Sequence, residues 1–116
     1  MWEYNLTQRH VKKNEEMLKK IVKCSAQWCH PCKTFKPIFE EVAELYENSN
    51  IEFTDINVDT AVNDDFEFIV KNNIKNIPTT LFVDENGEVI NKIVGLVSKQ
   101  QFIQAIEDTN KKTEQE

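Results

Sequence analysis

Glycine is nearly absent from this chain of 116 residues, which contains only Gly87 and Gly95. Loops that hold phosphate groups in nucleotide-binding proteins need several closely spaced glycines, so that the backbone can approach the phosphates. Two separated glycines cannot build such a loop. The sequence therefore excludes nucleotide binding through Gly-rich motifs.

Cysteines and long apolar runs are also scarce. Three cysteines are too few for the disulfide framework of a small secreted protein, and their odd number leaves Cys24 without an obvious partner. No stretch approaches the roughly 18 apolar residues of a membrane-spanning helix. The first 16 residues lack the apolar core of a signal peptide. We therefore expect a cytoplasmic protein that does not bind membranes.

Positive charge is in deficit, because 14 Lys and Arg face 20 Asp and Glu, for a net charge of -6. A surface of this sign disfavours nonspecific binding to nucleic acid. The hydrophobic fraction of 40% is sufficient for a single domain, which at this length buries about two-thirds of its unfolded surface. We expect one domain over residues 1–116, a monomer, that folds without structural disulfides.

The most informative segment is Trp28-Cys29-His30-Pro31-Cys32, in which two residues separate two cysteines. Pro31 suits the first turn of a helix, because its missing N–H would have no partner there. Cys29 then lies at the helix N-terminus, where unpaired N–H groups and the helix dipole favour a thiolate. A thiolate attacks disulfides, and the short gap lets Cys32 close a ring and release the product. The motif predicts thiol-disulfide exchange.

Apolar periodicity predicts an alternation of strands and helices. Strands are predicted over residues 2–6, 20–25, 51–58, 79–83 and 88–94, and helices over 7–18, 31–46, 61–70 and from 98 to a polar tail at about 111–116. Pro37 should kink the helix that contains it, because its ring removes one hydrogen bond. Asn86-Gly87 indicates a hairpin, so the last two strands should be antiparallel.

The two later helices carry signals of their own. Phe66, Ile69 and Val70 supply the apolar positions of the helix predicted over residues 61–70. Ser98 and Gln101 have the spacing of a capping box, which predicts the start of the last helix.

These features together resemble the thioredoxin family, over residues from about 6 to 108. The resemblance rests on a strand entering the cysteine pair, a proline five residues after the second cysteine, and Ile77-Pro78-Thr79 before the hairpin. It implies an α/β thioredoxin fold with a central mixed sheet of four to five strands and helices on both faces. It also implies a cis Ile77–Pro78 peptide bond beside the cysteines. The residues at the family's spacing are Trp28, Cys29, Pro31, Cys32, Lys33, Pro37, Asp59, Pro78, Gly87 and Gly95.

The resemblance further implies a protein-disulfide reductase, in which Cys29 forms a mixed disulfide with a client protein and Cys32 resolves it. No bound cofactor is implied, since an external thioredoxin reductase, NADPH-dependent, would restore the dithiol. A proline before a strand donates no ladder hydrogen bond, so the neighbouring backbone stays available to an extended client segment. The implied docking surface comprises Trp28, His30, Pro31, Ile77, Pro78, Gly95 and Leu96.

His30 departs from the family pattern, which usually has glycine at this position. A protonated histidine would lower the pKa of Cys29 and stabilise the reduced form. The reduction potential would then lie above the roughly -270 mV of thioredoxin, toward the about -180 mV of protein disulfide isomerase. A more oxidising oxidase or isomerase is therefore an alternative function. The simpler alternative is an exposed histidine with little effect.

Lys23 is the second departure, since the family usually has an acid six residues before the first cysteine. Asp55 correspondingly stands where the family often has a lysine. Breaking a buried ion pair by changing one partner costs about 3–5 kcal/mol. Exchanging both charges keeps the ion pair. We predict a Lys23–Asp55 contact, with Lys23 either accepting a proton from Cys32 or stabilising its thiolate. The alternative is a lysine that reaches the surface and only packs.

Further interpretations concern Cys24, a metal site, a function without redox chemistry, and His10. Cys24 is most simply a core residue, with a regulatory thiol as the alternative. A metal site formed by Cys24, Cys29, His30 and Cys32 is disfavoured, because no second C-x-x-C completes a tetrahedral set. A binding module without redox activity is the third possibility. His10 is assigned no chemistry.

Overall fold

The computed structural model describes residues 17–114, and for 111–114 only the backbone. Its elements are β1 (Leu18–Ser25), α1 (His30–Leu45), β2 (Glu52–Asn57), α2 (Asn63–Lys71), β3 (Thr79–Asp84), β4 (Val89–Val94) and α3 (Lys99–Glu114). The strand predicted over residues 2–6 lies outside this range. The helix predicted over 7–18 also lies outside it, except for residues 17 and 18. Leu18 belongs to β1, not to a helix: its backbone pairs with Asp84 of β3, and its side chain is buried.

The four strands form one mixed sheet in the order β2-β1-β3-β4. Strands β1 and β2 are parallel, whereas β3 runs antiparallel to both β1 and β4. The predicted α/β fold is therefore confirmed, with four strands in the described part of the chain. Because β1 and β2 are parallel, the loops that follow Ser25 and Asn57 leave the sheet at the same edge. That edge carries the cysteine motif.

Helices α1 and α3 cover one face of the sheet. Phe102 of α3 lies at the centre of this core, with ring centroids 5.4 Å from Phe35 and 5.8 Å from Phe39. Its ring also contacts Phe53 and Phe82, both at 6.4 Å. One aromatic side chain thus joins two helices and two strands.

Helix α2 covers the opposite face, where Phe68 and Ile69 pack against the sheet. Phe66 and Val70, which the sequence assigned to the apolar positions, are 55% and 61% exposed. That assignment was wrong for these two residues. Phe66, Ile69 and Val70 have the i, i+3, i+4 spacing of one helix face, but in this nine-residue helix the side chains that pack on the sheet are the adjacent Phe68 and Ile69.

The hairpin between β3 and β4 is confirmed as antiparallel. Gly87 adopts a φ of 84°, a conformation that glycine reaches without a steric penalty. The Asp84 carboxylate accepts hydrogen bonds from the N–H groups of Asn86 and Glu88, at 2.9 Å each. Strand β4 forms one edge of the described sheet and carries the exposed Lys92. A register irregularity between Phe82 and Val83 interrupts its pairing with β3.

Helix α3 begins with the predicted capping box. The Ser98 N–H donates to the side-chain oxygen of Gln101 at 2.9 Å, and the Gln101 N–H donates to the Ser98 hydroxyl at 3.1 Å. The helix continues to Glu114, so the polar tail predicted at about 111–116 is helical over its first four residues. Among residues 17–114, no helix combines the length and apolarity needed to cross a membrane.

Candidate functional site

Cys29 and Cys32 form a disulfide at the start of α1, with their Cα atoms 5.2 Å apart. Cys29 is the N-cap residue, with extended backbone angles, and its sulfur accepts a hydrogen bond from the Cys32 N–H at 3.2 Å. The helix begins at His30, so Pro31 occupies its second position, where a missing N–H leaves no bond unmade. The sequence folds this way because both cap and proline favour a helix start between the cysteines.

Cys29 and Cys32 are both buried, with 5% and 3% of their surface exposed. Both cysteines pack with Ala26, Val58 and Ile77. The Cys29 sulfur lies 3.7 Å from the Ile77 carbonyl oxygen. In the disulfide this sulfur has no hydrogen to donate, whereas in the dithiol form the same contact can become a thiol hydrogen bond.

The Ile77–Pro78 peptide bond is cis, as predicted. Pro78 is buried, and its carbonyl oxygen accepts a hydrogen bond from the Gly95 N–H at 2.7 Å. Gly95 adopts a φ of 100°, which a side chain would disfavour. The exposed Leu96 follows directly. The Ile77–Pro78 segment thus lies beside Cys29, and a hydrogen bond joins it to the segment that carries Gly95.

Trp28 is 68% exposed, and its indole N–H donates to the Asp59 carboxylate at 2.7 Å. The Asp59 N–H in turn donates to the side-chain oxygen of Asn57 at 2.9 Å. The sequence assigned Asp59 no partner. Its position just after β2 was the available signal, because the residues following parallel strands meet at the same edge.

His30 and Pro31 are exposed on the first turn of α1. They lie beside Cys29 at the start of α1, while the docking surface and the electrostatic role of His30 stay predictions. Pro37 lies inside the helix with an exposed side chain. The kink expected there stays a prediction as well.

Lys23 and Asp55 are paired across β1 and β2, with Nζ 3.3 Å from Oδ1. The predicted contact is present. The Lys23 side chain is only 5% exposed, so it does not reach the surface, whereas Asp55 is 52% exposed. The Lys23 ammonium also lies 5.1 Å from the centroid of the Phe39 ring, and the Ser25 hydroxyl donates to Asp55 at 3.0 Å. The lysine of the pair is therefore buried, and the carboxylate is half exposed.

A cleft of about 560 Å³ connects this ion pair with the disulfide. Lys23, Asp55 and Cys32 are among the residues that line it. The sequence did not predict it, because three separate segments form it: the end of β1, the first turns of α1, and β2. The residues that line it are Lys23, Ser25, Ala26, Gln27, Cys32, Lys33, Lys36, Asp55 and Asn57.

Cys24 is fully buried on the α2 face of the sheet, in agreement with its interpretation as a core residue. Burial, together with the negative charges of Asp55 and Asp65, raises the pKa of its thiol from 9.0 to about 11. Cys24 therefore stays a protonated thiol at neutral pH. Within residues 17–114, no three His, Cys, Asp or Glu residues are grouped so that they could hold a metal ion.

Comparison with known proteins gives matches over most of the chain. The family model described as Thioredoxin matches residues 4–108. The thioredoxin of Mycoplasmoides gallisepticum is 34% identical over 86 residues, which are 72% of this chain and 77% of that protein. The thioredoxin of Borreliella burgdorferi is 36% identical over 89 residues, covering 76% and 70%. Thioredoxin Asp f 29 of Aspergillus fumigatus is 35% identical over 75 residues, covering 65% of this chain and 64% of its own.

Proposed function

The chain belongs to the thioredoxin family, and on that premise we propose that it is a thiol-disulfide oxidoreductase that reduces disulfides in other proteins. One observation carries the proposal: Cys29 and Cys32 are joined as a disulfide at the N-terminus of α1. The three relatives compared above are all named thioredoxin, and none is named an oxidase or isomerase. The reductase is therefore preferred over the more oxidising alternative.

In the first step, the Cys29 thiolate attacks one sulfur of a client disulfide. A new S–S bond forms between Cys29 and the client, the client S–S bond breaks, and the other client sulfur leaves as a thiolate that takes up a proton. Cys29 suits the attack because it caps α1, and the Cys32 N–H donates to its sulfur. That hydrogen bond strengthens when the acceptor carries a negative charge.

In the second step, the Cys32 thiolate attacks the Cys29 sulfur. The Cys29–Cys32 bond forms, the mixed disulfide breaks, and the second client thiol is released. The client disulfide has gained two electrons and two protons, while the dithiol has become the disulfide. The two α-carbons are already 5.2 Å apart, so resolution needs no large movement of the backbone.

Cysteine variants test this assignment. Cys32→Ser should capture clients as mixed disulfides on Cys29, because the resolving thiol is missing, whereas Cys29→Ser should capture none and should lose activity. Cys24→Ser is the matched control and should retain activity, since Cys24 lies in the core away from the site. Full reduction of a test protein disulfide by Cys29→Ser would contradict the mechanism.

We propose that clients dock on the surface around Cys29. The supporting observations are the exposed Trp28, held by Asp59, and the link between Pro78 and Gly95. The exposed Leu96 adds apolar area at the rim. The other members of this proposed surface are His30, Pro31 and Ile77, and Pro37 supports it from within α1.

Regeneration requires an electron donor, because each cycle leaves Cys29 and Cys32 oxidised. We propose an external thioredoxin reductase that draws electrons from NADPH, acting in the cytoplasm on a monomer. The support is the family relationship. A direct test is to mix the oxidised protein with such a reductase and follow NADPH consumption. About one NADPH per protein molecule should be consumed without a client, to reduce the Cys29–Cys32 disulfide, and continued consumption should require a client disulfide.

Lys23 and Asp55 are proposed to assist the second step. The Lys23 ammonium is paired with Asp55, and both line the cleft that reaches Cys32. A positive charge at this position favours the Cys32 thiolate that resolves the mixed disulfide. Lys23 acts on Cys32 through the electrostatic attraction between its ammonium group and the thiolate, and it forms no bond to the client.

A further inference from the structure

The cleft beside Cys32 has a charge opposite to that of the whole protein. Three of its lining side chains are lysines and one is a carboxylate, whereas the chain carries a net charge of -6. Lys23 is paired with Asp55. The uncompensated charge of the cleft therefore comes from Lys33 and Lys36.

Lys33 and Lys36 stand three residues apart on the first two turns of α1, so both side chains project from the same face of the helix. Both residues are exposed. In the part of the chain that the structure describes, the salt bridges are Lys23–Asp55 and Lys99–Glu41, and neither involves these two lysines. Two cations are thus available to a bound anion.

The remaining lining groups also suit a carboxylate. Gln27 and Asn57 contribute side-chain amides, whereas the Ser25 hydroxyl already donates to Asp55. The volume of about 560 Å³ lies in the range of small-ligand sites. Cys32 lines the cleft, and its Cα atom lies 5.2 Å from that of Cys29, the residue to which the client sulfur becomes bonded.

We propose that this basic cleft selects client disulfides that have acidic residues next to the attacked cysteine. The inference rests on the proposed function and specifies its substrate class. Lys33 and Lys36 attract the client carboxylate, while the apolar surface around Leu96 and Trp28 contacts the rest of the segment. The net charge of the protein alone predicts the reverse preference, because a chain of charge -6 repels acidic peptides at long range.

Two disulfide peptides of identical length test the preference, one with Glu on both sides of each cysteine and one with Gln at the same positions. The fully reduced protein is mixed with each peptide, and the second-order rate constant of reduction is measured. The Glu peptide should react faster, by about twofold to fivefold for each exposed lysine it contacts. The ratio of the two rate constants should fall toward one as salt is added, because surface charges are screened.

The variant Lys33→Gln/Lys36→Gln should abolish the Glu preference. Its matched control is Lys19→Gln/Lys71→Gln, which removes the same charge from exposed positions outside the cleft and should keep the preference. A general change in thiolate reactivity alters the rate constants for the Glu peptide and the Gln peptide alike. The ratio of the two rate constants therefore reports the preference for the Glu peptide alone. Equal rates for both peptides, or a preference that survives the Lys33/Lys36 change, would overturn the inference while leaving the reductase function intact. Failure to reduce either peptide would overturn both.

Discussion

The sulfur of Cys29 lies among groups that determine its charge. The Cys32 N–H donates to it, the Ile77 carbonyl oxygen lies 3.7 Å away, and His30 is the next residue in the chain. The first of these groups stabilises a thiolate, whereas the carbonyl favours the protonated thiol. His30 is exposed beside this sulfur and, when protonated, would add a positive charge to this balance.

We predict that His30→Gly lowers the reduction potential by about 30 mV or more, a tenfold change in the equilibrium constant. The physical reason is the loss of a positive charge that stabilises the reduced form. His30→Gln is the control for size, because it keeps a long side chain without the charge and should lower the potential similarly. Equilibration of each protein with glutathione buffers of known ratio measures the potential. Values identical to that of the unaltered protein would contradict the role of His30.

Cys24 gives a prediction about alkaline pH. Its pKa is raised from 9.0 to about 11, so between these values the unfolded chain ionises while the folded chain stays neutral. Stability therefore falls as pH rises through this window, by at most about 1.4 kcal/mol per pH unit. Cys24→Ala should show a shallower loss, although its stability at pH 8 is lower because of the cavity.

Chemical unfolding at pH 8 and pH 10, with the Cys29–Cys32 disulfide intact, measures this difference. Burial and the hydrogen bond to Glu107 raise the pKa of Tyr46 as well. Tyr46 is present in both proteins, so its contribution cancels in the comparison. Parallel pH profiles for Cys24→Ala and the unaltered protein would contradict the assignment.

At the scale of elements, the pairing of β1 with β2 places Lys23 opposite Asp55. We predict that Lys23→Asp and Asp55→Lys each lower the unfolding free energy by up to about 3 kcal/mol. That value is the lower end of the range for breaking a buried pair, because Asp55 is half exposed. The double variant restores opposite charges and should recover most of the loss.

A double-mutant cycle from denaturant unfolding gives the coupling energy, and the rate of mixed-disulfide resolution is measured in the same four proteins. Resolution of the mixed disulfide should be slowest in the proteins that lack Lys23. If the pair were only structural, loss of Lys23 would have no specific effect on this rate. Additive losses in the two single variants would show that the residues do not act as a pair.

The sequence predicted those elements whose signals are local. The capping box of Ser98, the hairpin at Gly87 and the proline at the start of α1 depend on neighbouring residues only, and all three are present. Helix α2 was different, because tertiary packing decided which of its apolar residues face the sheet. Leu18 likewise joined β1 because β3 offered a partner across the chain.

At the scale of the whole molecule, Phe102 joins elements that are distant in sequence. We predict that Phe102→Ala lowers the unfolding free energy by about 3–5 kcal/mol, because it leaves a cavity among four aromatic rings. Phe66→Ala removes the same side chain from an exposed position and should cost far less. Denaturant unfolding of both variants makes the comparison, and similar losses would contradict the description of the core.

Part of the site could be predicted from the sequence, and part of it depends on the assembled molecule. Cys29, Cys32 and Pro78 follow a pattern with fixed spacing, so their grouping was predictable. The contact of Trp28 with Asp59 and the cleft beside Cys32 depend on the assembled sheet edge. Such features arise from segments about 30 residues apart in the chain, and no local pattern encodes them.

Strand β4, at one edge of the described sheet, has a consequence for self-association. An open strand edge is a template on which a second chain can add and begin to aggregate. Lys92 places a charge in the middle of this edge, and the irregular register near Phe82 disturbs the flat geometry that such stacking requires. Because β4 ends one residue before Gly95, these two features disfavour edge-to-edge pairing of two molecules next to the segment that holds Pro78.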